Sequence, residues 1–165
     1  MGDTLVTTIL DEIENRLGNI TTANGYFSSV DGVIDRGKLT PWDGKDLPAI
    51  NLWSTGFDNG RSEYGDELRQ IKVYIEIHDK TRDENFVDVA NKLAADVVTA
   101  ICRSTAAPKV SDDPSHDLGS IVEDILLDAV DMIIGEGQAP FCGALCRFTV
   151  TVRASLMDMF NIVNI

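Results

Sequence analysis

The sequence is poor in the residues that build chemistry. Its 165 residues hold two histidines, His78 and His116, and three cysteines, Cys102, Cys142 and Cys146. Lysine and arginine are also scarce, 14 against 27 acids, so the net charge is -13. Between Lys109 and Arg147 there is no lysine or arginine. Such a chain repels nucleic acid rather than gripping it, which argues against DNA or RNA binding. It leaves either a solvated acidic surface, or a surface that meets a basic partner or lets DNA slide past. No apolar run reaches the roughly 18 residues of a membrane-spanning helix. The opening Met1-Gly2-Asp3-Thr4 lacks a basic stretch leading into an apolar core, so a secretory signal is not expected. Gly2 also lacks the downstream Ser or Thr of a myristoylation site. An odd cysteine count without such a signal points to reduced thiols.

What the sequence does have is patterned hydrophobicity. Ile71, Val73, Ile75 and Ile77 alternate with Lys72, Tyr74, Glu76 and His78. That period of two, with β-branched residues, predicts a strand. Phe86, Val89, Ala90, Leu93, Ala94, Val97, Val98 and Ile101 then follow helical spacing and predict a helix whose stripe covers the sheet. Cys102 lies beside that stripe, as a small core hydrophobe. Earlier, Leu5, Ile9, Ile13 and Leu17 predict a first helix, capped by Asp3 or Thr4 and stopped at Gly18-Asn19. A short strand is expected within 30–36, and a second from Pro48 to Ser54. Thr55 to Asp66 reads as an exposed connection, because of its glycines and charges. Ser104 to Gly119 reads as loop and Gly135 to Pro140 as turn. Cys146 to Arg153 alternates cleanly and predicts a further strand. Ile121 to Ile134 is ambiguous: Leu118, Ile121, Val122, Ile125, Leu126, Ala129, Val130 and Ile133 suit a helix, while the same segment can be a two-faced strand. Periodicity alone favours the helix. The last residues, 155–165, are unusually apolar and read as an extension of a single domain spanning 1–154.

Motifs for catalysis are missing. Ser115, His116 and Asp117 are adjacent in one loop, and adjacent residues cannot align as nucleophile, base and orienter. Cys142-x3-Cys146 has no second ligand pair to complete a zinc site, so a reduced, partly buried thiol pair is the reading. Gly135-x-Gly137 lacks the rest of a phosphate loop and sits among acids. Asp112, Asp113, Asp117, Glu123, Asp124, Asp128, Asp131 and Glu136 lack calcium-loop spacing and read as a solvated face, with a partner-facing or lumen-facing surface as second choice. No catalytic residue, metal ligand or cofactor is expected.

From Asp117 the run Asp-Leu-Gly-Ser-Ile-Val-Glu-Asp-Ile-Leu-Leu-Asp-Ala-Val-Asp, then Gly-Glu-Gly, then Leu145 to Arg153, resembles the tail-terminator (minor tail) proteins of long-tailed phages. Leu47-Pro48-Ala49 and the order of elements from Thr4 to about Ala154 share the likeness. Ser120 departs from it, standing where the family pattern has a second glycine. The extension after Ala154 also exceeds the family pattern. The resemblance implies an α+β subunit: a mixed or antiparallel sheet of about four to five strands with two main helices packed on one face. It implies that Glu123 to Ile134 is strand. It further implies a structural virion protein, made in the bacterial host cytoplasm and located in the tail or neck. There it would form a ring, usually of six copies, that ends tube polymerisation and offers a head-joining surface. Its partners would be further copies of itself, the tail tube protein and the head-completion or neck proteins. DNA would pass the bore without specific binding, and no membrane is involved. On that reading the interface candidates are Phe57, Arg61, Tyr64, Phe141 and Phe160, in the 55–66 loop, the 135–143 turn and the terminal extension. Rival readings are another neck component such as a head-completion stopper, an acidic mimic of DNA, and a small ligand-binding or enzymatic domain with a pocket near the histidines or the acids.

Overall fold

The structure, a computed structural model, describes residues 4–30, 32–59, 68–80, 85–102, 118, 121–135 and 141–153. In chain order these form α1 (Leu5–Leu17), β1 (Ile34–Arg36), β2 (Ala49–Asn59), β3 (Leu68–Lys80), α2 (Phe86–Ile101), β4 (Asp124–Gly135) and β5 (Phe141–Arg153). The five strands make one sheet in the order β1-β2-β3-β5-β4. The β1–β2 pair is parallel and the other three pairs are antiparallel, so the sheet is mixed. This is an α+β fold with both helices on one face, as the sequence led us to expect.

The inner row of β3 explains why. Ile71, Val73, Ile75 and Ile77 lie opposite Val150, Phe148, Cys146 and Ala144 of β5, and all eight are buried. Over them sit Ile9, Ile13 and Leu17 of α1 and Leu93, Val97 and Ile101 of α2, in one apolar cluster. Each large aliphatic side chain removed from water there is worth about 1.5–3 kcal/mol. Thr4 caps α1, its hydroxyl accepting from the Thr7 N–H at 3.2 Å. Two charged residues tie α2 to its surroundings. Arg16 of α1, 1 % exposed, donates through Nη1 to the Ile101 carbonyl at 2.6 Å, satisfying an orphan acceptor in the last turn of α2. Asp96, 2 % exposed, accepts from the Phe27 N–H at 2.9 Å and from the Ser28 N–H and hydroxyl at 2.8 and 2.6 Å.

Two irregularities correct the sequence reading. β2 does not stop at Ser54. A bulge between Ser54 and Phe57 inserts one residue, with Gly56 at φ +98°, and the strand continues to Asn59. The inserted residue switches the inward face from even to odd positions, which ends the alternation without ending the strand. β4 is a strand, against its helical periodicity, and its bulge lies between Leu127 and Ala129. Ile125 and Leu127 face the helices before it; Val130, Met132 and Ile134 face that side after it. Apolar residues on both faces, Ile125 and Val130 toward the helices and Leu126, Ala129 and Ile133 away from them, fall at spacings of three and four, which imitates a helix. β5 likewise begins at Phe141, five residues before the predicted start. Gly143 is needed there because a Cβ would come within 2.3 Å of the Ile77 carbonyl oxygen on the neighbouring strand.

Asp96→Ala leaves two backbone N–H groups and a hydroxyl without their acceptor, and should lower stability by about 3 kcal/mol; urea unfolding of the variant against the parent measures it. Gly143→Ala should cost about 1–3 kcal/mol through forced separation of β3 and β5, read the same way.

Candidate functional site

The helices leave the opposite face of the sheet open. Three strands meet there: Asn51 and Trp53 of β2, Lys72, Tyr74, Glu76 and His78 of β3, and Leu145, Arg147 and Thr149 of β5 stand in register. Trp53 and Tyr74 are stacked, ring centroids 5.4 Å apart and 7° from parallel. Tyr74 is also the cross-strand partner of Arg147. The open face therefore carries Trp, Tyr and Arg side by side, the residue types that dominate binding energy at protein interfaces.

The segment after β1 straps one end of this face. The Asn51 side chain accepts from the Lys38 N–H at 2.9 Å and donates to the Lys38 carbonyl at 3.0 Å. Trp42 donates its indole N–H to Asp35 at 2.7 Å. A cavity of about 250 Å³ opens beneath the strap, lined by Trp42, Leu47, Asn51, Glu76, His78 and Phe141 among others. His78 is buried, with ring contacts to Trp42 (5.3 Å) and Phe141 (5.0 Å), and its Nε2 lies 2.7 Å from Glu76 Oε1. The hydrogen bond from His78 holds the Glu76 carboxyl below its ordinary value, against the opposing effect of burial.

The acids of β4 are less free than their clustering suggested. Asp131 is ion-paired with Arg147, and Glu123 with Arg153 at 3.1 Å. Asp128 accepts from the Thr149 hydroxyl at 2.6 Å and from Lys72 at 3.3 Å, while Lys72 also donates to Thr149. These basic partners sit on β3 and β5, far away in sequence. Exposed pairs of this kind contribute little stability, about 0–1 kcal/mol each, yet they neutralise the open face locally.

The helix-side face of β4 is different. α2 reaches only its beginning, where Val98, Ile101 and Cys102 adjoin Ile125 to Leu127. Past the bulge, Val130, Met132 and Ile134 form an uncovered apolar row, 38, 42 and 55 % exposed. Among the described residues β4, twelve residues long, is also an edge strand. A long apolar edge offers a template for another chain.

Two of the three thiols, Cys142 and Cys146, are buried in β5. Burial pushes Cys146 up to about 12, and burial with Asp79 nearby raises Cys142. Both stay protonated, so neither is a ready nucleophile or metal ligand. Four residues of extended strand separate them by about 13 Å, too far to share a metal or a disulfide. No cluster of three metal-binding side chains occurs among the described residues, and no described helix is long and apolar enough to cross a membrane.

Of the expected interface residues, Arg61, Tyr64 and Phe160 lie outside the described residues, as do the acids 112, 113, 117 and 136 and the 155–165 extension. Phe57 is not in a loop. It lies on the helix face of β2, half-buried against the core, with the Arg69 guanidinium 5.7 Å from its ring centre. Phe141 is in β5 rather than a turn, half-buried against His78. The two are thus on opposite faces and do not form one patch. Sequence reading missed Trp42, Trp53 and the β4 row. Trp53 lies within an expected strand, on its outward side, whereas Trp42 belongs to no periodic segment and only its residue type could have flagged it. No protein-family model matches the chain, and neither does any curated protein.

The Glu76 interaction sets a pH dependence. A carboxyl whose folded value is depressed stabilises the fold above its ordinary value of 4.5, and that contribution disappears as pH falls below it. The stability gap between the parent and Glu76→Gln should therefore be full near neutral pH and shrink through the acid range. Urea midpoints measured at several pH values check this; a gap independent of pH would show that the carboxylate charge is not what Glu76 contributes.

Proposed function

We propose that the protein is a structural subunit of a phage tail terminator, a ring-forming protein that caps the head-proximal end of the tail tube. It works by geometry, with no chemical step. The observation that carries this reading is the β4 edge: an apolar row on a long strand whose outer edge has no neighbour among the described residues, at the margin of a sheet whose centre is fully packed. A head-to-tail contact through such an edge, repeated about an axis, closes a ring. The order of elements supports the same reading. An N-terminal helix, two antiparallel strands, a helix and a closing β4–β5 hairpin follow the arrangement that the resemblance implies, including a strand where periodicity suggests a helix. The net charge of -13 suits a bore through which DNA passes without sticking. A head-completion stopper shares this setting and would differ in binding the portal side first.

The cavity beside His78 is the one observation that favours the rival, a ligand-binding domain. The two readings separate by assembly. Light scattering and negative-stain imaging should show a ring, alone or on added tail tubes. Met132→Lys with Ile134→Lys, at exposed positions, should keep the thermal melt of the parent and lose ring formation and tube capping. Rings that persist in this variant would remove the β4 edge from the interface. Failure of the parent chain to assemble even on tubes would remove the terminator reading.

A further inference from the structure

The cavity on the open face has the construction of a binding site. Its walls are aromatic: Trp42 and Phe141 both contact the His78 ring. Its polar floor is Glu76, a carboxylate that accepts hydrogen bonds from His78 and Asn51 and, with about four lone-pair sites on its two oxygens, has room for a further donor. Its shape is fixed before anything binds. Asn51 clasps the Lys38 backbone through two hydrogen bonds, and the Trp42 indole is held by Asp35. The positive charge of Lys38, also at the rim, lies 3.5 Å from Asp35, which partly balances it. Folding alone does not require a half-buried carboxylate beneath a strap that carries Trp42, on the sheet face opposite α1 and α2. Aromatic faces are electron-rich, and with a carboxylate they select a cation carried on an apolar stem.

We propose that this cavity binds an alkylguanidinium or alkylammonium group, the side-chain chemistry of arginine and lysine. The aromatic rings take the stem and the face of the cation, and Glu76 takes its N–H donors. A volume of about 250 Å³ accommodates one such group. The chain's net charge of -13 adds long-range attraction for a basic partner. The group arrives either on a free small molecule or on the side chain of a partner protein. The inference does not depend on ring formation.

The test is titration followed by NMR at the Trp42 indole N–H, with the Trp53 indole, stacked on Tyr74 and outside the cavity lining, as internal reference. Ethylguanidinium should shift Trp42 saturably at millimolar concentration, and ethylurea, its neutral isostere, should not. Glu76→Gln, which keeps the shape and an acceptor, should weaken binding about tenfold or more. Phe141→Leu, which keeps apolar bulk and loses the π face, should weaken it about threefold or more. The second variant keeps the test sound if the first folds poorly. Arginine as the free amino acid, compared with a short peptide carrying one arginine, distinguishes the two sources; tighter binding of either supports the site. An equal response to ethylurea, or no saturable response to either probe, overturns it. Because the readout is local binding, rings could fail to form while the cavity binds its cation, and the reverse.

Discussion

The pairing of β3 with β5 is the constraint on which the rest of the molecule depends. Each strand contributes thirteen residues, in unbroken register from Leu68 with Arg153 to Lys80 with Phe141. One side of that ladder is the core, where Val73 meets Phe148 and Ile75 meets Cys146. The other side is the open face, where Tyr74 meets Arg147 and Lys72 meets Thr149. A slip of one residue would exchange the two sets, so burial of the inner row also determines which polar side chains stand together outside. The ion pairs of β4 with Lys72 and Arg147 exist only because this register presents those cations at the right heights.

The two bulges show where local pattern and tertiary structure diverge. The central strand and α2 were legible because each keeps one period throughout, and α2 runs over the predicted Phe86 to Ile101. β2 and β4 each change parity in mid-strand. A reading based on period must then end the strand early, as at Ser54, or substitute a helix, as over 121–134. For β4 the resemblance supplied the strand that periodicity could not. The candidate site was less legible still. His78 and Glu76 were visible as polar-face residues, but their partner Trp42 comes from a segment with no period, and it reaches them only through the side-chain contacts of Asp35 and Asn51. Such long-range contacts leave no spacing signature.

Charge also reads differently once placed. The interval without lysine or arginine, 110–146, suggested a continuous acidic surface. In the fold, Glu123, Asp128 and Asp131 face cations supplied by β3 and β5, so for these three acids the missing basic residues come from elsewhere in the sequence. The net charge of -13 remains and acts at long range, screened within about 10 Å at ordinary salt.

The two faces of the sheet therefore differ in what they can accept. On the helix side, β4 beyond its bulge presents Val130, Met132 and Ile134 with no polar atom in their side chains. Contact there gains by excluding water and scales with apolar area, so it suits a broad protein surface. On the open side, the His78 cavity is small, preorganised and carries one carboxylate among rings. Contact there is directional and depends on the charge of a single group. The β4 bulge separates these roles. If the same sequence paired with β5 without the bulge, Val130, Met132 and Ile134 would turn to the open face, opposite Leu145, Gly143 and Phe141, and the helix side of the edge would carry Asp131 instead. One inserted residue thus places an apolar edge and a charged face on opposite sides of the same strand.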